Sequence, residues 1–479
     1  MNTMNQLPPS PLLRSATFLA SASVVLLSAC ASLSAPGGDL PATPVPATWS
    51  TGPTATAGSS ATVLAQWWQR FNDPALSALV TQALQANTSV KSAQAALLQA
   101  RAQRDVQSAN AGPSLSASGS AQRSQTGSAA GSNRFQAGFD ASWEPDVFGG
   151  NRAAVNASEA DALAAETSLA DVQVSLAAEV AASYIELRGL QARLAIANSN
   201  LSFQSETLQI TRWRNQAGLV SSLDVEQAVV SSEQTRAQVP ALQTSVAQSL
   251  NALAVLTGQA PGALQATLGT PAAVPQTPPG LALAFPAETL RQRPDVRTAE
   301  HRISAALARV DAAEAARYPS FRLGGSLGLS ALTLGTLTNG ASVVRSLLAS
   351  VSAPLFDGGA ARAQVRSQEA ALEQARLSYQ GTVLTALKDV EDALVALQGD
   401  TERLARLQAA ASAAANAELL ARQRYESGLI DFRTVLDTQR TLLSAQDSVA
   451  STQATLSADH VRLYKALGGG WTPDASAGR

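Results

Sequence analysis

Cysteine, histidine and aromatic side chains are scarce in this chain, and each shortage removes a class of chemistry. The single cysteine is Cys30, and the only histidines are His301 and His460. One thiol cannot form a disulfide within the chain, and two distant histidines with one cysteine assemble no Cys/His metal cluster. If Cys30 is covalently modified, no Cys/His nucleophile pair survives either. No phosphate loop or nucleophile–base pair is visible, so neither an enzyme nor a bound cofactor is expected. Charge of neither sign dominates, with 34 basic and 36 acidic residues among 479. That balance gives no electrostatic footprint for nucleic acid. Hydrophobic residues reach 46 % but aromatics only 4 %, and alanine carries much of the difference. Alanine costs no side-chain entropy and lets helix backbones approach closely.

Long hydrophobic runs are missing too. The best, Phe18 to Leu27, is too short for a bilayer helix of roughly 20 residues. With Arg14 before it and small residues after, it reads as a signal peptide over 1–29. It ends Leu27-Ser28-Ala29-Cys30, similar to a bacterial lipobox in which Cys30 is acylated and becomes the new N-terminus. Ordinary cleavage beside an incidental cysteine is the alternative. Ala31 stands where an Asp would suggest inner-membrane retention, which favours the outer membrane. Any further membrane contact must use strands. The segment from Cys30 to residue 60, rich in Pro, Ala, Thr and Ser, reads as a flexible tether.

What is present is a pattern written twice. Asn87 to Leu115 parallels Arg293 to Phe321: Val90 with Val296, Ala93 with Ala299, Pro113-Ser114 with Pro319-Ser320. Arg212-x-Arg214-xxx-Gly218-Leu219-Val220 parallels Arg422-x-Arg424-xxx-Gly428-Leu429-Ile430, and Gly258 parallels Gly468. A period of roughly 210 residues is too long for a solenoid and points to a duplicated unit. The expected organisation is a first repeat over 61–265, a linker over 266–285, a second repeat over 286–471 and a tail over 472–479.

Each repeat reads as helix, two strands, long helix, turn, helix. The expected strands are Leu115–Ala121, Phe135–Trp143, Phe321–Leu329 and Leu347–Leu355. In the second, Phe135, Ala137, Phe139, Ala141 and Trp143 alternate with Gln136, Gly138, Asp140 and Ser142; in the fourth, Leu348 interrupts the polar row. Period-two alternation fits a transmembrane barrel, and equally a soluble sandwich with one wet face. Four strands cannot close around a pore, so strands that cross a membrane must be completed by other copies.

The helices are long. Arg152 to about Asn215, and Ala360 to about Tyr425, contain no proline. Val383, Leu387, Val390, Leu394, Leu397, Leu404 and Leu407 mark a coiled-coil seam, as do Leu187, Leu190, Leu194, Ala197 and Leu201. About 64 helical residues make a rod of about 95 Å. Gly218 and Gly428 suit the left-handed position that ends a helix before a hairpin turns back.

With these elements in place, the chain resembles the TolC-type outer-membrane factors, in particular the lipoprotein branch serving tripartite efflux pumps. The motifs are Trp67-Trp68-Gln69-Arg70-Phe71-Asn72-Asp73-Pro74-Ala75-Leu76, Trp143-Glu144-Pro145-Asp146-Val147-Phe148-Gly149, Arg293-Pro294-Asp295-Val296, Leu355-Phe356-Asp357-Gly358-Gly359 and Ala466-Leu467-Gly468-Gly469-Gly470-Trp471. The resemblance implies a mixed membrane α+β fold of two tandem repeats. Four strands per protomer would enter a trimeric transmembrane β-barrel, continued by a long coiled-coil α-helical barrel. It implies a homotrimer in outer-membrane lipid whose periplasmic tip meets an adaptor and, through it, an inner-membrane RND-type transporter. Type I protein secretion uses the same architecture, and a fibrous coiled-coil lipoprotein or adhesin without a pore is the reading from another class.

The resemblance also implies site residues. Asp224 and Tyr425 match hairpin residues that hydrogen-bond when the tip is closed. Asp437 matches a pore-facing aspartate, where three copies would crowd carboxylates and attract cations. Thr434 takes the place of a second carboxylate ring, and Ile430 that of an arginine lock. For Asp224 and Asp437, solvated or capping roles are the alternative; for Tyr425, packing. Arg214, Gly218, Leu219, Arg424, Gly428 and Leu429 form the tips expected to contact the adaptor. Trp67 and Trp68 read as packing anchors. The lipobox makes the first testable statement: the mature protein's mass should carry a diacyl or triacyl modification, and Cys30→Ala should lose it.

Overall fold

The computed structural model describes residues 44–50, 64–277 and 286–472. The leader, Cys30, most of the tether, the 278–285 part of the linker and the tail from Pro473 lie outside the described residues.

Each repeat begins with helices capped by the residues its motif supplies. Asp73 accepts from the amides of Ala75 and Leu76 at 2.8 and 3.0 Å and so opens α1 (Pro74–Ala86). Asn87 then caps α2 (Thr88–Asn110). The hairpin of β1 (Ser114–Ser124) and β2 (Ser132–Trp143) follows. Asp146 takes the amides of Asn151 and Arg152 at the start of α3 (Gly150–Gln216), and α4 (Ser222–Leu256) returns alongside it. A single turn, α5 (Gln265–Leu268), enters the linker. The second repeat has α6 (Pro286–Gln292), α7 (Pro294–Ala315), β3 (Ser320–Ala331), β4 (Val343–Ser352), α8 (Ala360–Glu426) and α9 (Phe432–Ala466). Helices α3 and α8 each run 67 residues, or about 100 Å at 1.5 Å per residue.

The duplication is visible in space. Gly258 and Gly468 end α4 and α9 with φ of 71° and 73°. At each, the following amide bonds back across six residues, Gln259 to Ala254 at 2.7 Å and Gly469 to Tyr464 at 2.9 Å. A Cβ on Gly258 would meet the Ala86 carbonyl oxygen at 2.8 Å, and one on Gly468 the Gln292 carbonyl oxygen at 3.2 Å. The same helix end is thus wedged against the same helix start in both halves.

The main core gathers where the two repeats meet. Trp67 stacks on Tyr464 with ring centres 5.2 Å apart, and Leu76, Val80, Val180, Tyr184, Leu253, Val390 and Val461 are buried around them. The Gly470 amide donates to the Leu64 carbonyl at 2.9 Å, tying the second repeat's end to the first repeat's beginning. Arg293, buried beside its partners, clamps Asp295 at 2.7 Å, Asp389 at 3.2 Å and the Ala466 carbonyl at 2.8 Å. The segment 44–50, expected to be a free tether, is docked where it is described. Ser50 donates to Glu391 through its amide at 2.8 Å and its hydroxyl at 2.6 Å, and Trp49 packs on the core. Val45 packs on a second cluster around Leu290 and Val296, so the segment is held at three points.

The strands form one antiparallel sheet in the order β1-β2-β3-β4. Pairing sets Ala117 against Phe139, Phe139 against Leu327, and Leu323 against Ala349, so the odd-numbered residues of all four strands share one face. The serines fall on the other. The strand expected over Leu347–Leu355 runs instead over Val343–Ser352. Pro354 has no N–H to give a ladder, and the doublets Val343-Val344 and Leu347-Leu348 blur the two-residue period.

Gly258→Ala should therefore cost about 1–2 kcal/mol for its left-handed backbone alone, before the clash. Gly399→Ala, on an open helix surface with nothing within 4 Å, should be neutral or better. Thermal unfolding of the detergent-solubilised protein separates the two variants.

Candidate functional site

Two regions stand apart from the main core: the sheet, which adds no residue to any buried cluster, and the far ends of the helical hairpins, which hold only a small one. In the sheet, large apolar side chains such as Phe139, Leu347 and Val351 are exposed. No helix among the described residues is long and apolar enough to cross a membrane.

At the tips, Gly218 and Gly428 both have φ of 73°. The Leu219 amide bonds to the Arg214 carbonyl at 2.8 Å and the Leu429 amide to that of Arg424 at 2.9 Å. This closure turns the leucine side chains outward, leaving Leu219 72 % and Leu429 74 % exposed. Arg424 is exposed as expected, but Arg214 is not free: its guanidinium lies 4.8 Å from the centre of the Tyr425 ring. Tyr425 also packs 5.3 Å from Phe432, beside Leu208, Ala228 and Leu436.

The structure does not bring Asp224 and Tyr425 together. Asp224 Oδ2 accepts from the Ser221 amide at 3.0 Å and the Ser221 hydroxyl at 2.8 Å, and Ser221 Oγ in turn accepts from the Asp224 amide at 3.3 Å. This reciprocal box caps α4. The Tyr425 hydroxyl is buried without a hydrogen-bond partner. Within this chain no hydrogen bond joins Asp224 to Tyr425, and Asp224 Oδ2 serves the cap.

The equivalent box in the second repeat exchanges the two chemistries. Asp431 occupies the cap position, accepting from the Thr434 amide at 2.9 Å and the Thr434 hydroxyl at 2.6 Å. Those hydrogen bonds, the hydroxyl's first, hold the Asp431 carboxyl below the usual carboxylate range. Thr434 therefore does not simply lack a carboxylate; it serves one three residues earlier. Sequence reasoning missed Asp431, although Asp431-x-x-Thr434 mirrors Ser221-x-x-Asp224 across the repeat. Asp437 is exposed on α9, beside a shallow recess shared with Ala414, Ala417, Thr434, Thr438 and Thr441. Ile430 is half-buried at the end of the turn.

Above the tips, polar links hold α3 to α9. Arg193 grips Asp447 at 2.7 and 3.1 Å, and Asn200 donates to Gln446 at 3.1 Å. Burial pushes both imidazoles down, and His460 Nδ1 lies 2.9 Å from the Leu456 carbonyl. No cluster of metal-ligating side chains exists among the described residues.

A coreless amphipathic sheet feeding two hairpins, each of a 67-residue and a 35-residue helix, defines a membrane-inserted duct component. The chain belongs to the outer membrane efflux protein family, whose sequence pattern matches residues 79–259 and again 285–469, one match in each repeat. It is 33 % identical over 444 residues to the toluene efflux pump outer membrane protein TtgC of Pseudomonas putida, covering 90 % of this chain and 91 % of that one. It is 33 % identical over 431 residues to the pyoverdine export outer membrane protein OpmQ of Pseudomonas aeruginosa, covering 87 % and 90 %. The solved outer-membrane channel OprN superposes with a TM-score of 0.83 at 36 % identity, covering 91 % of this chain and all of that one. The family is one of outer-membrane efflux channels and not of enzymes, and a fibrous lipoprotein without a pore loses its support.

The cap geometry has a measurable consequence. Ser221→Ala should destabilise the first hairpin tip by about 1 kcal/mol, read as faster proteolytic nicking near Gly218. At the second tip the carboxyl is lowered, so its stabilisation is present at neutral pH and is lost as pH falls through that lowered value. Nicking near Gly428 should therefore accelerate on acidification in the native protein and be pH-independent in Asp431→Asn.

Proposed function

We propose that three copies of this chain join edge to edge, closing twelve strands into an outer-membrane barrel. The helical hairpins continue it as a tunnel through the periplasm. The observation that supports this most directly is the sheet: one face apolar, the other serine-rich, no core on either side, and both outer strands open. In lipid, unpaired edge groups cost several kcal/mol each, and only closure removes them. The chain is held additionally by lipid on Cys30.

The tips are the docking end. Leu219 and Leu429, with Gly218, Gly428 and Arg424, present two similar apolar knobs to a periplasmic adaptor, which couples the duct to an inner-membrane RND-type transporter. No bond is made or broken in the cargo; the duct supplies an aqueous path. Relatives named for toluene and for pyoverdine stand at the same 33 % identity to this chain. So unlike a pair of cargoes suits a duct that selects little, with choice of substrate made upstream. Efflux fits those relatives better than type I secretion does.

Asp437 tightens the periplasmic end of the tunnel. Three copies of its carboxylate, crowded by the threefold axis, favour cations. Reconstituted protein should show discrete conductance steps in planar bilayers. Asp437→Asn should lower cation preference while keeping those steps. Protein that inserts but never conducts would refute the duct, and unchanged selectivity in the variant would remove Asp437 from the pore.

A further inference from the structure

The earlier start of β4 brings Arg345 into the sheet. Its register partner is Leu327, and it lies on the face of Leu323, Phe139 and Ala117. Arg123, paired with Asn133, is on that same face of β1. Every other residue of the face is apolar, glycine or Asn133, and none is acidic. Both arginines are exposed, and neither forms an ion pair among the described residues. The sheet's other cations, Arg134 and Arg322, lie on the serine-rich face with Asp140.

Their height is also shared. Arg123 is one residue from the end of β1, and Arg345 is two residues from the start of β4. At about 3.4 Å per residue both lie within about 7 Å of the rim formed by the strand-connecting loops. The long helices leave from the opposite rim, so the arginines face the outer leaflet. Moreover, β1 and β4 are the sheet's two edges and run antiparallel. Closing the barrel sets β4 of one copy beside β1 of the next, with Arg345 and the neighbour's Arg123 on adjoining strands.

Two unpaired guanidiniums on a lipid-facing surface repel each other unless an anion joins them. At that depth the anions are headgroup phosphates, which guanidinium forks bind through paired hydrogen bonds. We infer that Arg123 and Arg345 form an inter-protomer site for the phosphate of an outer-leaflet lipid headgroup, one site per seam. The inference rests on the proposed trimeric barrel.

Native mass spectrometry of the delipidated oligomer tests it, with phosphatidylglycerol, diphosphoryl lipid A and phosphate-free diacylglycerol as probes. Wild type should retain up to three copies of a phosphate-bearing lipid and none of the diacylglycerol. Preference for lipid A over phosphatidylglycerol identifies a glycolipid; equal loading identifies any anionic headgroup, and both support the site. Arg123→Gln/Arg345→Gln should weaken loading by at least about tenfold, the loss expected for a charge-assisted contact, while Arg134→Gln on the other face leaves it unchanged. A trimer whose loading ignores the double substitution overturns the headgroup site alone. A protein that is monomeric throughout overturns the barrel, and the seam with it.

Discussion

Strands β1 and β4 each leave a row of backbone amides and carbonyls without partners, on a sheet that has no core behind it. In water such edges invite aggregation, and in lipid each open group costs several kcal/mol. A single chain has no means to repair this, since four strands are too few to curl onto themselves. The protein's oligomerisation, its place in the membrane and its aqueous interior all follow from that one deficit. The helices inherit the consequence: α3 follows β2, and α8 follows β4, so whatever ring the strands adopt, the helices must continue.

The duplicated unit supplies the rigidity that such an arrangement needs. The wedge of Gly258 against Ala86 recurs as Gly468 against Gln292, and the Arg293 clamp joins the start of α7 to α8 and to the end of α9. Trp67 and Tyr464 then close the first repeat onto the second. The stiff region is thus the belt where N- and C-terminal segments meet. Both functional ends, sheet and tips, project from it with few buried side chains. At the tips, identical backbone turns carry non-identical polar boxes, serine then aspartate at the cap. Both repeats have kept the geometry while the chemistry diverged.

Much of this was legible in the chain itself, for physical reasons that can be named. Helix ends at Gly218 and Gly428 were readable because a left-handed turn needs glycine, and their length because no proline interrupts them. Three strands were readable from clean alternation. The fourth was misplaced because Val343-Val344 and Leu347-Leu348 put apolar side chains on both faces, and Arg345 was missed with it. The composition of residues 44–50 reads as free chain, yet Trp49 and Ser50 find partners on distant elements. The cap that Ser221 and Asp224 share three residues apart is a local pattern that the sequence also shows.

By itself the amino-acid order determined the repeat, the helix lengths and the alternating strands, since these depend on local backbone preference and on residue spacing. Only the tertiary structure decided the register that gathers every odd-numbered strand residue onto one face and adds Arg123 and Arg345 to it. It alone assigned Arg214 to the Tyr425 ring. Those outcomes depend on which side chains meet across elements far apart in sequence, and no local pattern carries that information.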